Sequence, residues 1–159
     1  MKNIIFIAVL LTSFSANTPL CAQKNVPQVV QTTFKAMFAD AKKVKYSKET
    51  DGSFEVDFKQ NNIKSSVHIS AKGDWLETEQ EIKKTDLPKV VLERITQLYP
   101  EWKIKSCEKV KMLDAVTGTF TFYEVLVKKS GESMELKWTK DGNSIELTGT
   151  PKQEQKGEK

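Results

Sequence analysis

Residues 54–79, FEVDFKQNNIKSSVHISAKGDWLETE, decide the fold of this chain. Apolar and polar residues alternate along three short segments, as they do in β-strands that are buried on one face only. The dipeptides Asn61-Asn62 and Lys72-Gly73 separate these segments and suit two-residue hairpin turns. The stretch therefore predicts a three-stranded antiparallel meander with one continuous apolar face.

The same pattern occurs a second time at residues 123–148, YEVLVKKSGESMELKWTKDGNSIELT. Its turns, Ser130-Gly131 and Asp141-Gly142, fall where the turns of the first stretch fall and give the same strand register. Two stretches with one register indicate an internal duplication.

An amphipathic helix is predicted before each three-stranded unit. Apolar residues recur at helical spacing in residues 26–38, VPQVVQTTFKAMF, and again in residues 87–99, LPKVVLERITQLY. We expect Asn25 and Asp86 to cap the two helices, each with a proline in the first turn.

A further strand follows each helix, at residues 44–49 and 103–112. A three-residue hairpin with Gly52 in the left-handed conformation joins the first of these to the next strand. The sequence therefore predicts an α+β fold: a tandem repeat of two α-β-β-β-β modules, with antiparallel meander sheets and one helix packed on one face of each. The predicted organisation is a signal peptide at 1–22, a first module at 23–82, a second module at 83–150 and a disordered tail at 151–159.

The N-terminal segment is typical of a secretory signal peptide. Lys2 precedes an apolar run at residues 4–11, and cleavage is expected after Ala22. The run is too short to span a bilayer, which takes about 20 apolar residues. A lipoprotein acylated at Cys21 is the alternative, but such sites favour a leucine three residues before the cysteine and a small residue directly before it, where this chain has Thr18 and Leu20. The sequence thus predicts a secreted or periplasmic protein without a membrane span.

Charge and cysteine content exclude several classes of function. The formal net charge of +4 is too mild to indicate a nucleic-acid partner. Cleavage after Ala22 would leave Cys107 as the only thiol, so no internal disulfide is expected. The sequence has no glycine-rich phosphate loop, and its single histidine cannot serve both a metal site and a nucleophile. We therefore expect neither an enzyme nor a cofactor.

His68 is the one residue that suggests a metal site. The predicted register places Glu55 on one side of it and Glu77 on the other, which is a His/Glu/Glu donor set. The second copy has Lys137 at the equivalent position, and an ammonium group cannot bind a metal ion. The shared feature is a cation between carboxylates, so we expect a cross-strand ion-pair ladder on a solvated sheet face and no metal.

The candidate partner-binding surface combines apolar and basic side chains that are predicted to face outward. Trp75, paired with Ser70 by the predicted turn, and also Phe122 and Leu126 interrupt the polar pattern, which suggests a contact surface unless the two modules cover these residues with each other. Four lysines on one predicted strand would attract an anionic partner or, alternatively, protect a sheet edge. They are Lys103, Lys105, Lys109 and Lys111.

Together these motifs resemble one known family. The order VPQVVQTTFKAMF, FEVDF and GDWLETE, repeated as LPKVVLERITQLYPEW, YEVLV and DGNSIEL over residues 26–148, is similar to that of the PepSY-like family of secreted and periplasmic proteins. The tandem fold of that family resembles beta-lactamase inhibitor protein. The resemblance implies a concave sheet that grips another protein or peptide, with regulation or inhibition of a peptidase as one form of that role. The disulfides of the inhibitor cannot form here and none of its contact residues is matched, so inhibition of a beta-lactamase is not implied.

Two functions from different classes remain open. The first is a non-enzymatic module that binds an unknown protein or peptide of the cell envelope through an open sheet face. The second is a carrier or sensor of a small apolar ligand held between helix and sheet. A cavity between these two layers would favour the carrier.

Overall fold

The structure, a computed structural model, describes residues 25–114 and 118–146, without the side chain of residue 146. The predicted signal peptide, its cleavage site and the predicted tail lie outside this part of the chain. The described helices and strands, in order, are α1 (Gln28–Met37), β1 (Lys42–Lys48), β2 (Phe54–Gln60), β3 (Ile63–Ile69), β4 (Trp75–Ile82), α2 (Lys89–Leu98), β5 (Lys103–Asp114), β6 (Gly118–Lys129), β7 (Glu132–Trp138) and β8 (Ser144–Glu146).

All eight strands form one antiparallel sheet in the order of the sequence. The predicted register between β2 and β3 is present, with Val56 opposite Val67. The halves of the repeat meet where β4 pairs with β5, with Ile82 opposite Cys107. The predicted α+β fold with a tandem repeat is confirmed, and its two meanders are joined edge to edge into a continuous sheet.

Both helices pack on the same face of this sheet, which we call the helix face. Each covers its own half and buries a separate apolar cluster, as the stripe of apolar residues on each helix predicts. The first cluster consists of Val30, Phe34, Tyr46, Phe54, Val56, Phe58, Val67 and Ile69. The second consists of Leu87, Val91, Ile95, Cys107, Val125, Val127, Leu136 and Trp138. The opposite face is called the outer face below.

The helices begin one residue after the prolines that were expected in their first turns. Pro27 and Pro88 stand at the N-cap positions, and neither helix start has a side-chain capping hydrogen bond, so the predicted caps are wrong. Asp86 instead accepts a hydrogen bond from the backbone N–H of Lys83 in a short 3₁₀ turn before α2. Neither helix is long and apolar enough to cross a bilayer, and the described ranges contain no other candidate span.

The loop between β3 and β4 is longer than the predicted two-residue turn. Ser70 donates a backbone hydrogen bond to Asp74 at 2.8 Å, and Gly73 has a left-handed φ of 92°. As a result Trp75 lies opposite Ile69 rather than Ser70, and its side chain packs against the first cluster on the helix face. The predicted outward orientation of Trp75 is therefore wrong.

The register of β5 shifts between Ile104 and Ser106, which reverses the alternation of its side chains. Cys107 consequently belongs to the second cluster on the helix face. Val110 lies opposite Phe122 on the outer face, whereas strict alternation would have placed it toward the helix.

Candidate functional site

The outer face holds a group of charged side chains that are buried, although the sequence predicted a solvated face. His68 is only 3% exposed and Glu79 only 7%. The physical reason is that the sheet is continuous: β4 is not an edge strand, and Glu79 lies between Ser66 of β3 and Val110 of β5. Carboxylates are rarely buried without a partner, so this group is the candidate functional site. We call Glu55, Glu77, Glu79, Glu108 and Glu124 the carboxylate cluster.

The predicted ladder around His68 is present in register, with Glu55 opposite it on β2 and Glu77 opposite it on β4. Its contacts are not those of a solvated ion pair. The Nε2 atom of His68 lies 3.9 Å from Oε1 of Glu55, which is too long for a hydrogen bond. Both ring nitrogens are buried and neither has a hydrogen-bond partner. A histidine in this state requires an explanation.

The equivalent position in the second half of the sheet is occupied by a buried ion pair. Nζ of Lys137 lies 2.6 Å from Oε1 of Glu124 and 3.5 Å from a carboxylate oxygen of Glu135. The ammonium group also lies 5.6 Å from the ring centroid of Phe122. Burial alone would lower the pKa of Lys137, but the adjacent carboxylates, Glu124 foremost, raise it above its ordinary value. Lys137 therefore carries its charge at neutral pH.

The carboxylates of the first half have no comparable cation. Burial raises the pKa of Glu79 to about 9 and that of Glu55 to about 7, and neighbouring carboxylates add to both shifts. Burial likewise raises the pKa of Glu108 to about 7 and that of Glu77 above its ordinary value. The Ser66 hydroxyl donates a hydrogen bond of 2.9 Å to Glu79, which offsets only part of the rise in the pKa of Glu79. With these pKa values, Glu55 and Glu108 titrate near neutral pH and Glu79 is protonated there.

Three side chains of this face have donor atoms close enough for a shared metal ion. One atom each from Glu55, His68 and Glu79 lies within 4.8 Å of the others. The sequence suggested Glu77 as the third member because it is directly opposite His68. Glu79 is two residues further along β4 on the same face, and long side chains reach such diagonal neighbours. A search of diagonal as well as directly opposite positions would have found it.

The structure separates the apolar members of the predicted partner-binding surface. Trp75 is on the helix face, where its indole N–H donates to the Thr78 hydroxyl at 2.8 Å. Phe122 and Leu126 are on the outer face, Phe122 buried and Leu126 partly buried. Phe120 stacks on Phe122 with a centroid distance of 5.9 Å, and the sequence pattern did not single it out. Its neighbour Met112, directly opposite on β5, was also missed.

The four lysines of β5 are exposed but do not form a row on one face. Lys103 lies opposite Lys128. Beyond the register shift, Lys109 and Lys111 point to the helix face, and the ammonium group of Lys111 is 5.8 Å from the ring of Trp75. Lys105 occupies the shifted position itself. Lys109 and Lys111 do not protect a sheet edge, because their part of β5 pairs with β4 on one side and with β6 on the other.

Two surface cavities lie at the ends of the helix layer. The larger, about 360 Å³, is lined by Arg94, Leu98, Tyr99, Trp138, Gly142, Asn143 and Ser144. The smaller, about 220 Å³, is lined by Asn25, Val26, Tyr46, Ser47, Lys48 and Phe54. Trp138 lines the larger cavity, and its buried indole N–H has no hydrogen-bond partner.

Comparison with protein families gives a match over both halves of the chain. The family is described as "Putative beta-lactamase-inhibitor-like, PepSY-like", and the matched residues are 15–64 and 52–146. Two matches along one chain agree with the tandem repeat seen in the sheet. The search of curated proteins gives no match.

Solved structures from Bacteroides share the fold. A "putative periplasmic" protein of Bacteroides eggerthii superposes with a TM-score of 0.70 at 14% identity, covering 80% of this chain and 90% of that chain. A BLIP-like protein of Bacteroides fragilis gives a TM-score of 0.65 at 19% identity, covering 80% and 86%. A DUF2874 family protein of Bacteroides ovatus gives 0.66 at 22% identity, covering 76% and 84%.

Proposed function

Because the chain belongs to the PepSY-like, beta-lactamase-inhibitor-like family, we propose that it is a non-enzymatic protein of the periplasm or the secreted fraction that grips a protein or peptide of the cell envelope. The gripping surface is the outer face of the sheet. One observation carries this proposal: both described helices pack on the helix face, while partly exposed apolar side chains remain on the outer face.

These apolar side chains form a strip across the centre of the sheet. Met112 and Phe120 face each other across β5 and β6, and Val110 and Phe122 form the next pair. Leu126 lies further along β6, beyond the Glu108–Glu124 pair. We call Met112, Phe120, Phe122 and Leu126 the outer strip. An apolar centre bordered by charged groups is the usual anatomy of a protein interface.

The charge around the strip restricts the kind of partner. Glu77 and Glu79 border the strip on its first-half side, whereas Glu108 and Glu124 separate Leu126 from its other members. Exposed lysines such as Lys64 and Lys45 lie further out on the same face. A peptide segment that carries apolar anchors next to a basic residue would match the strip and the adjacent carboxylates.

Affinity capture from the cell-envelope fraction tests the proposal. Leu126→Asp places a charge in the outer strip. The control, Val90→Asp, places the same charge at an exposed apolar position of helix α2. We expect a partner that wild type and Val90→Asp retain and that Leu126→Asp loses. Equal retention by all three proteins would contradict the outer face as the binding surface. If the partner is a peptidase, its activity with and without this chain tests the regulatory role that the resemblance implies.

The carrier function has one observation in its favour, the cavity of about 360 Å³ between α2 and the β7–β8 loop. Its volume is within the range of small-molecule sites. It lies at the surface, however, and the two apolar clusters between helices and sheet consist of closely packed side chains. Titration with a fluorescent apolar probe separates the two functions. If the chain is a carrier, the wild type should bind the probe in this cavity and the Leu98→Asp variant should not. If it is only a partner-binding protein, no probe should bind in this cavity.

A further inference from the structure

We propose that Glu55, His68 and Glu79 bind a divalent transition-metal ion on the outer face of the sheet, and that Zn²⁺ is the ion that best fits this donor set. The three ligands come from three consecutive strands, β2, β3 and β4. Glu55 and Glu79 also belong to the carboxylate cluster beside the outer strip, but the metal site is tested on the isolated chain, without any partner.

The distances fit a site that forms by rotation of the glutamate side chains. The three donor atoms lie within 4.8 Å of one another, and Nε2 of His68 is 3.9 Å from Oε1 of Glu55. Zn–N and Zn–O bonds of about 2.0–2.1 Å put two ligands of a tetrahedral ion about 3.4 Å apart. The His68–Glu55 distance therefore has to shorten by about half an ångström, which rotation of the glutamate side chain provides.

The second observation is the absence of any hydrogen-bond partner for buried donor atoms. Both ring nitrogens of His68 and Oε1 of Glu79 are buried and unpaired among the described residues. An unpaired buried polar group costs about 1–3 kcal/mol, and two such side chains within one small volume are unusual. A metal ion would satisfy Nε2 of the imidazole and a carboxylate oxygen of Glu79 at the same time.

The charge balance of the sheet leads to the same conclusion. In the second half, the Lys137 ammonium group lies 2.6 Å from Glu124 and provides the cation that buried carboxylates need. In the first half, the equivalent residue is a histidine that makes no such contact, although Glu55, Glu77 and Glu79 surround it. A bound divalent ion would have the role there that Lys137 has in the other half.

The donor types select among ions. One imidazole nitrogen and two carboxylate oxygens suit Zn²⁺, whereas Ca²⁺ and Mg²⁺ prefer sites made of six or more oxygens. Glu77, with a buried and unpaired Oε1, lies directly opposite His68 and is a further potential ligand on the same face. Cys107 is no competitor, because it is buried in the second cluster on the helix face.

Calorimetric titration of the untagged, chelator-treated chain with Zn²⁺ tests the site. We expect one tight equivalent per chain that is absent in His68→Lys, a variant that introduces the residue type already used at the equivalent position of the second half. Glu79→Gln should weaken binding at least about 10-fold, since loss of even an outer-shell partner costs about 10- to 100-fold. Glu81→Gln, which changes an exposed carboxylate on the same strand, is the matched control and should bind as wild type does.

A structural readout excludes binding elsewhere on the chain. His68 is the only histidine, so its ring nitrogens give a single set of NMR signals. Zn²⁺ should shift the Nε2 signal of wild type and of Glu81→Gln, and it should raise the melting temperature of both but not of His68→Lys. Zn²⁺ binding that persists unchanged in His68→Lys, unshifted His68 signals in excess Zn²⁺, or no binding to wild type would each overturn the proposal.

Discussion

Replacement of Lys137 by methionine should be one of the most destabilising single changes on the outer face. The Lys137 side chain is 18% exposed and that of its partner Glu124 only 6%, and their charged atoms are 2.6 Å apart. Methionine fills a similar volume but leaves a carboxylate buried without its cation. Removal of one member of a buried pair costs about 3–5 kcal/mol, and we expect a loss in that range for the free energy of unfolding at pH 7–8.

Urea unfolding followed by tryptophan fluorescence measures this loss, because Trp138 is the next residue in β7. Two further variants make the test specific. Lys129→Met removes an exposed pair with Glu101 and should cost about 1 kcal/mol or less. The double variant Lys137→Met with Glu124→Gln should recover most of the stability, because the buried charge of Glu124 is removed together with its cation. A loss of less than about 1 kcal/mol for Lys137→Met, or no recovery in the double variant, would refute the buried ion pair.

Three other changes test the packing and the electrostatics. Phe54→Ala should cost about 3–5 kcal/mol in urea unfolding, because the ring is buried in the first cluster, whereas Leu98→Ala on the exposed side of α2 should cost less than about 1 kcal/mol. Gly73→Ala should lower the melting temperature, since the φ angle of Gly73 is 92° and the added Cβ would lie 2.5 Å from a methyl carbon of Val29. An unchanged melting temperature would show that the loop adopts another conformation. The folded pKa of Glu108, about 7, is above its ordinary 4.5, so its contribution to stability is complete below pH 4.5 and is lost as the pH rises through 7. In chelator, the free energy of unfolding from urea titrations should therefore fall between pH 5 and pH 8, and Glu108→Gln should remove about 1–3 kcal/mol of that fall. An equal fall in the variant would assign it to other groups.

Local sequence signals were sufficient wherever the backbone conformation is decided by a few adjacent residues. The Asn61-Asn62 turn has both φ angles positive, 53° and 65°, as a two-residue hairpin needs, and Gly52 is left-handed as expected. These two turns determine the register that places Val56 opposite Val67 and Tyr46. The repeat and the helix stripes could be derived from the sequence for the same reason.

The errors come from single-residue shifts that no special residue marks. The shift in β5 occurs at Ile104-Lys105-Ser106, where neither glycine nor proline signals it, and it moves Val110 from the helix face to the outer face. The extra residue in the β3–β4 loop moves Trp75 in the opposite sense, from the outer face to the helix face. Side-chain alternation has a period of two, so the shift in β5 reverses the assignments that follow it in that strand. In β4 a second irregularity restores the register, and Glu77 lies opposite His68 as predicted.

Burial of the outer face could not be predicted from either half alone. It depends on the pairing of β4 with β5, which are the strands before and after helix α2 in the sequence. Once that contact forms, Glu79 and Glu77 have neighbouring strands on both sides. The candidate site is therefore a property of the joined sheet, and in a separate first meander the same side chains would lie at an edge, in solvent.

The most direct test of partner binding through the outer face is photocrosslinking in intact cells. A benzophenone amino acid that replaces Leu126 or Met112 tests for contacts with the outer strip. The same crosslinker in place of Val90 or Val29 tests exposed positions of the two helices. We expect a discrete crosslinked species from both outer-strip positions and none from the helix positions. Crosslinks from the helix positions alone, or none from either outer-strip position, would contradict the proposal that the sheet grips its partner.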